Sequence, residues 1–189
     1  MRAAAALLLV LLAACNRGKS SSSGEQPAPS ASVITLGVSI GTCPDIAVCQ
    51  RECDGGSADR CRRLAASYAL GEGVPQDESR GAALFARACD MGDPSACVFA
   101  GQMSEYAHGV PKDDKRAASF YTRACDLTWA PGCYNEAIML ENGRGVPQDR
   151  ARAGDLYQIA CTAGAKQACE KAREMHAPPS PPFFDGGLP

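Results

Sequence analysis

The chain has 189 residues, with 19 Lys or Arg against 21 Asp or Glu, a net charge of −2, and only 6% aromatic side chains. It shows neither a basic stripe nor an aromatic platform, so nucleic acid is not an expected partner. Its two histidines, His108 and His176, have no ligand-spaced companions, which argues against an imidazole-held metal centre.

The first stretch, "MRAAAALLLVLLAAC", places Arg2 before an apolar run from Ala3 to Ala14 that is too short to cross a bilayer. It ends in Leu12-Ala13-Ala14-Cys15, which resembles the lipobox of bacterial lipoproteins. The resemblance implies a signal peptide over 1–14, lipidation of Cys15 and a membrane anchor. Asn16 at the next position implies the outer membrane, facing the periplasm. An ordinary secretory signal cleaved nearby is the alternative. Loss of Arg2 leaves 18 basic and 21 acidic residues, a net charge of −3.

Residues 15–32, "CNRGKSSSSGEQPAPSAS", read as the lipidated cysteine and a flexible tether. Its ends would lie roughly 20–25 Å apart. Residues 33–42 form a lead-in whose alternating "VITLGVSI" suggests a short strand. "GVSIG", Gly37 to Gly41, fits the G-x-S-x-G pattern of hydrolase nucleophile elbows. That pattern requires a strand, a helix and a parallel sheet around Ser39, and the rest of the chain is occupied by something else.

What occupies it is a repeat, over 43–176. "CDGGSADRC" from Cys53, "CDMGDPSAC" from Cys89, "CDLTWAPGC" from Cys125 and "CTAGAKQAC" from Cys161 start 36 residues apart each time. Ahead of them, "CPDIAVC" carries Cys43 and Cys49, which either bridge each other or stay free. The Asp45–Asp54 segment is expected to supply the unpaired second helix of an incomplete leading unit. Each full copy then reads as a helix, a tight loop, a second helix and a turn. In the loops "GEGVPQD", "AHGVPKD" and "GRGVPQD", Gly73, Gly109 and Gly145 are expected to end the first helix in the left-handed conformation. Pro75, Pro111 and Pro147 forbid its continuation, and Asp77, Asp113 and Asp149 cap the next helix. His108 lies in such a loop, where the other copies have Glu72 and Arg144, and is expected to be solvated.

The second helices align Leu84, Phe120 and Leu156, then Phe85, Tyr121 and Tyr157, then Ala88, Ala124 and Ala160, on one face by helical spacing. Small residues at Ala82, Ala118 and Gly154, and at Ala65, Gly101 and Ala137 of the first helices, admit a close neighbour. No such hairpin buries its apolar face alone, so the hairpins must stack into an α-solenoid, an all-α fold. The last copy, "AKQACEKAREM", is densely charged, as a terminal cap should be. Residues 177–189, "APPSPPFFDGGLP", form a Pro-rich tail.

Export makes regularly spaced cysteines read as disulfides. In each frame the earlier cysteine ends one hairpin and the later one opens the next. Across so short a turn, antiparallel helices bring their Cα atoms within disulfide range, about 4.4–6.8 Å. Cysteines on successive units would be roughly 10 Å apart. The expected pairs are Cys53–Cys61, Cys89–Cys97, Cys125–Cys133 and Cys161–Cys169, each contributing about 2–2.5 kcal/mol.

The period, the loop pattern Y-x-x-G-x-G-V-x-x-D and the C-x7-C frame resemble the Sel-one-like repeat family, and within it the secreted cysteine-rich branch. Tyr68, Gly71, Gly73, Val74 and Asp77 carry the match in the first copy. Gly109, Val110 and Asp113 carry it in the second, and Gly143, Gly145, Val146 and Asp149 in the third. Ser104, Ala107 and Leu140 depart from the pattern, as does Thr128-Trp129 where the second copy has Gly92-Asp93. The resemblance covers about 130 residues and implies a tetratricopeptide-like right-handed superhelix used as an adaptor or peptide-binding scaffold. Members of the branch are also described as β-lactamases or penicillin binders. That alternative needs a serine with a lysine three residues on, and no S-x-x-K occurs.

The expected function is therefore a membrane-anchored interaction scaffold of the cell envelope for an unidentified protein or peptide, with no catalytic residue, cofactor or small-molecule substrate. If the first helices line the concave face, the outward positions are Arg63, Phe99 and Asn135, then Ser67, Met103 and Met139. Tyr106 and the lone Trp129 are further candidates. Met and aromatic side chains suit an adaptable partner surface; the alternative is that Phe99, Met103 and Met139 belong to the core between repeats. The mild acidity favours a basic or neutral partner.

Overall fold

The computed structural model describes residues 41–176, and helices are the only regular elements among them. Cys15, the tether, Ser39 with nearly all of the lead-in, and the 177–189 tail lie outside the described residues. The helices are α1 (Ile46–Asp54), α2 (Ala58–Leu70), α3 (Glu78–Asp90), α4 (Pro94–Tyr106), α5 (Asp114–Asp126), α6 (Ala130–Asn142), α7 (Arg150–Thr162) and α8 (Lys166–His176). Pairs α2–α3, α4–α5 and α6–α7 are hairpins. Each helix packs chiefly on the helices before and after it in the chain, and α4 also meets α6. This is an α-solenoid.

The loop aspartates start the second helices. Asp77, Asp113 and Asp149 each accept a hydrogen bond at 2.9 Å from the backbone N–H three residues on, filling one of the unsatisfied donors at a helix start. The stop signal lies two residues earlier than the sequence suggested. Gly71, Ala107 and Gly143 take the left-handed conformation that ends the first helices, at φ 74°, 61° and 65°. Gly73, Gly109 and Gly145 serve a different purpose. Gly145, at φ +68°, lies against the first turn of α5, where a Cβ would collide with the Asp114 carbonyl. Gly109 meets the first turn of α3 in the same way, so each of these two glycines lets its loop rest on the second helix of the preceding hairpin, with Val110 and Val146 tucked into the core beside them.

Buried between the helices are Leu84, Phe120 and Leu156, the aromatics Phe85, Tyr121 and Tyr157, and Ala88, Ala124 and Ala160. Gly101 makes room for Tyr121, since a Cβ on it would lie 2.5 Å from the ring. At the junctions, Cys53–Cys61, Cys89–Cys97, Cys125–Cys133 and Cys161–Cys169 are disulfides with Cα atoms 4.6, 4.5, 4.4 and 4.7 Å apart. Cys43 and Cys49 are bonded to each other, at 6.2 Å.

A second fastening repeats along the second helices. Arg87 of α3 donates to the Asp54 carboxylate at 2.8 Å and to the Cys53 carbonyl at 3.2 Å. Arg123 of α5 does the same to Asp90 at 2.6 Å and to the Cys89 carbonyl at 3.3 Å. On α7 the equivalent residue is Ile159.

The turn before α6 is also irregular. Thr128 holds φ 58° where Gly56, Gly92 and Gly164 stand in the other turns, a costly conformation for a β-branched residue. Trp129 takes the N-cap place of Ser57 and Asp93 without making a side-chain cap bond.

Candidate functional site

Of the eight proposed binding-face residues, Ser67, Phe99, Met103 and Met139 do not face outward. Ser67 is fully buried and accepts the Cys43 N–H at 3.0 Å. Phe99 packs on Phe85 with ring centroids 5.1 Å apart, and Met103 and Met139 lie in the core. The reason is packing: an interior first helix such as α4 has α3, α5 and α6 around it and little free surface. Arg63 is partly exposed and pairs with Asp59 at 2.8 Å. Asn135 and Trp129 are half-buried, each with one buried N–H that has no partner. Tyr106 is half-exposed. His108 is not simply solvated: its Nδ1 lies 3.8 Å from Glu78, while Nε2 is buried and unpartnered. The proposed set does not converge on one place.

Convergence occurs instead around residues that the sequence analysis passed over. Glu136 of α6 stands in the column that Leu64, Ala100 and Ala172 fill in the other copies. Helical spacing carries it into the interior, and only 5% of it is exposed. A buried carboxylate must be hydrogen-bonded. Arg152, in the first turn of α7, donates to its Oε1 at 3.2 Å, and Thr122 of α5 lines the same cleft. Burial raises the Glu136 pKa above the usual carboxylate range. The Thr122 hydroxyl and the Arg152 charge oppose this, and the nearby charge of Asp126 adds to it.

Glu136 lines a cleft of about 460 Å³ over α6, between α5 and α7. Ala118 and Thr122 form one side, Met139 and Leu140 the floor, and the Val146–Asp149 segment and Arg152 the other side. Met139, alone of the proposed binding residues, lines it. The cleft presents a carboxylate, a guanidinium and an apolar base. This arrangement can grip a side chain.

A second polar network lies one repeat earlier. Glu105, also buried, accepts a hydrogen bond from the Tyr121 hydroxyl at 2.6 Å and pairs with Arg144 of the next loop at 2.7 Å. The third repeat copies the bond, Tyr157 donating to Glu141 at 2.7 Å. In the first repeat the pair is Phe85 and Ala69. A carboxylate thus stands sixteen residues before the aromatic only where the aromatic carries a hydroxyl. Burial, and then the Glu105 charge, push the Tyr121 hydroxyl far above its ordinary pKa. This network is structural.

Residues 61–93, 94–128 and 130–164 each match the family model described as Sel1 repeat. The chain belongs to the Sel1 repeat family. Solved structures of Sel1 repeat proteins have the same fold. One from Oxalobacter formigenes superposes with a TM-score of 0.64 at 26% identity, over 70% of this chain and 99% of that one. The c5321 protective antigen of uropathogenic Escherichia coli, described as displaying an SLR fold, gives 0.58 at 21% identity, over 69% and 36%. Helicobacter pylori cysteine-rich protein B gives 0.54 at 24% identity, over 67% and 90%. No curated protein matches the chain. Sel1 repeats are scaffolds for protein–protein interaction. No helix among the described residues is long and apolar enough to cross a membrane.

Proposed function

We propose that this Sel1-repeat protein is a lipid-anchored interaction scaffold of a bacterial envelope, held at the membrane through Cys15 and presenting its solenoid to a protein or peptide. Membership of the Sel1 repeat family is the observation that carries the reading. The stretch Leu12-Ala13-Ala14-Cys15 supports the anchor, and the tether at 15–32 gives the domain reach from a surface. The cleft between α5 and α7, with a carboxylate and a guanidinium over an apolar floor, is the concave feature best suited to a partner's side chain.

The test has two arms. Metabolic labelling with a fatty acid should mark the wild type and leave Cys15→Ser unmarked; equal labelling of both removes the anchor. Crosslinking in cells should give discrete adducts with other proteins that depend on the solenoid. An absence of adducts, together with covalent labelling by penicillin, would replace the scaffold by the β-lactam reading.

A further inference from the structure

The repeat offers an internal comparison at the seams between successive second helices. At the α1–α3 and α3–α5 seams, an arginine from the later helix reaches back to one aspartate carboxylate and one cysteine carbonyl. The same acceptors recur at the α5–α7 seam as Asp126 and Cys125, but the arginine position holds Ile159. Among the described residues no ion pair involves Asp126. The Cys125 carbonyl accepts the N–H of Thr128 at 2.8 Å, just as that of Cys89 accepts Gly92 at 2.9 Å. Its second acceptor direction is the one an arginine uses at the other seams. The fold therefore builds three equal guanidinium seats and fills two of them from its own chain.

We propose that the third seat binds an arginine side chain of a partner polypeptide. The inference deepens the scaffold reading and rests on it. Three features favour arginine as the occupant. The two acceptors are spaced for two donors of one planar group, which a lysine ammonium cannot match. Leu127 and Ile159, two of the four exposed large apolar side chains among the described residues, adjoin the seat and can cover the arginine's methylene stem. The charge also suits a cation. Asp126 ends α5, one helical turn beyond the Thr122 that lines the cleft. Arg152 already holds Glu136, leaving Asp126 as the open partner.

The probe is a short blocked peptide, acetyl-Gly-Arg-Gly-amide, titrated into the isotope-labelled full chain in detergent and followed by amide NMR shifts. Its lysine analogue is run alongside. The expected result is saturable shifts confined to residues around 125–128 and 159, with the arginine peptide binding more tightly than the lysine one. Ile159→Arg fills the seat from within, and Asp126→Asn removes its charge. Each should weaken the arginine peptide about tenfold with circular dichroism unchanged. Shifts scattered elsewhere, or equal binding to wild type and both variants, overturn the seat. In-cell adducts that persist equally in wild type and Ile159→Arg alongside that result sink the seat alone and leave the scaffold standing.

Discussion

Replacing Glu136 by leucine puts into the third repeat the residue that Leu64 supplies, fully buried, in the first. Three contributions set the outcome. Burying a leucine side chain gains about 1.5–3 kcal/mol, somewhat less here because the position borders an open cleft. The lost pair with Arg152, whose side chain is mostly exposed, is screened by solvent and worth under about 1 kcal/mol. Relief of carboxylate burial works in the opposite direction and adds to the gain. The sum favours Glu136→Leu by about 1–2 kcal/mol at neutral pH, a rise of roughly 3–8 °C in melting temperature. Urea unfolding with the disulfides intact should show it as a raised midpoint at unchanged slope.

The pH dependence sharpens the test. The folded pKa of Glu136 lies above its unfolded value, so the folded chain holds that proton longer. The contribution is complete below the unfolded carboxylate range near about 4.3 and is lost as pH rises through the folded pKa. The advantage of the leucine variant must therefore widen between acid and neutral pH. An advantage that narrows, or a variant less stable than wild type at pH 7, would refute the claim that Glu136 is a buried carboxylate held at a cost to the fold.

Ala107→Gly should stabilise by about 0.5–1 kcal/mol, because alanine at φ 61° carries a steric cost that glycine lacks; thermal unfolding reads it, and a lower melting temperature would contradict the cap geometry. Gly145→Ala should destabilise by at least about 2 kcal/mol, since its Cβ has to displace the Asp114 carbonyl as well as accept a positive φ; urea midpoints measure it. Tyr121→Phe, which takes the hydroxyl from the buried Glu105 Oε2 and leaves Arg144 on Oε1, should cost about 1–3 kcal/mol. Adding Glu105→Ala, which recreates the Phe85 and Ala69 pair of the first repeat, should recover part of that loss in a double-mutant cycle.

The solenoid was legible because its signals are local and repeated. Proline and aspartate in each loop act within a few residues of themselves, and a cysteine on either side of a short turn has one neighbour within reach. The cap register was misplaced by two residues because both glycines of the loop take positive φ, and only the contact of Gly145 with α5 separates their roles. The binding face was misread because exposure depends on how many helices surround a position, which spacing along one helix does not reveal; α4, with three neighbours, hides Phe99 and Met103. The cleft was nevertheless detectable. Comparing column with column would have marked Glu136 among Leu64, Ala100 and Ala172, and Ile159 beneath Arg87 and Arg123. Thr122 and Arg152 gain their meaning only once α5 and α7 are brought over α6.

Because every C-x7-C bond spans a junction and none spans a hairpin loop, the molecule answers a protease in two ways. A cut in the short turn between Cys89 and Cys97 leaves both pieces covalently attached until a reductant arrives. A cut in the loop between α4 and α5 severs the backbone where no sulfur crosses, and packing alone then holds the halves together. Survival after nicking is thus set by which of two neighbouring bends is struck.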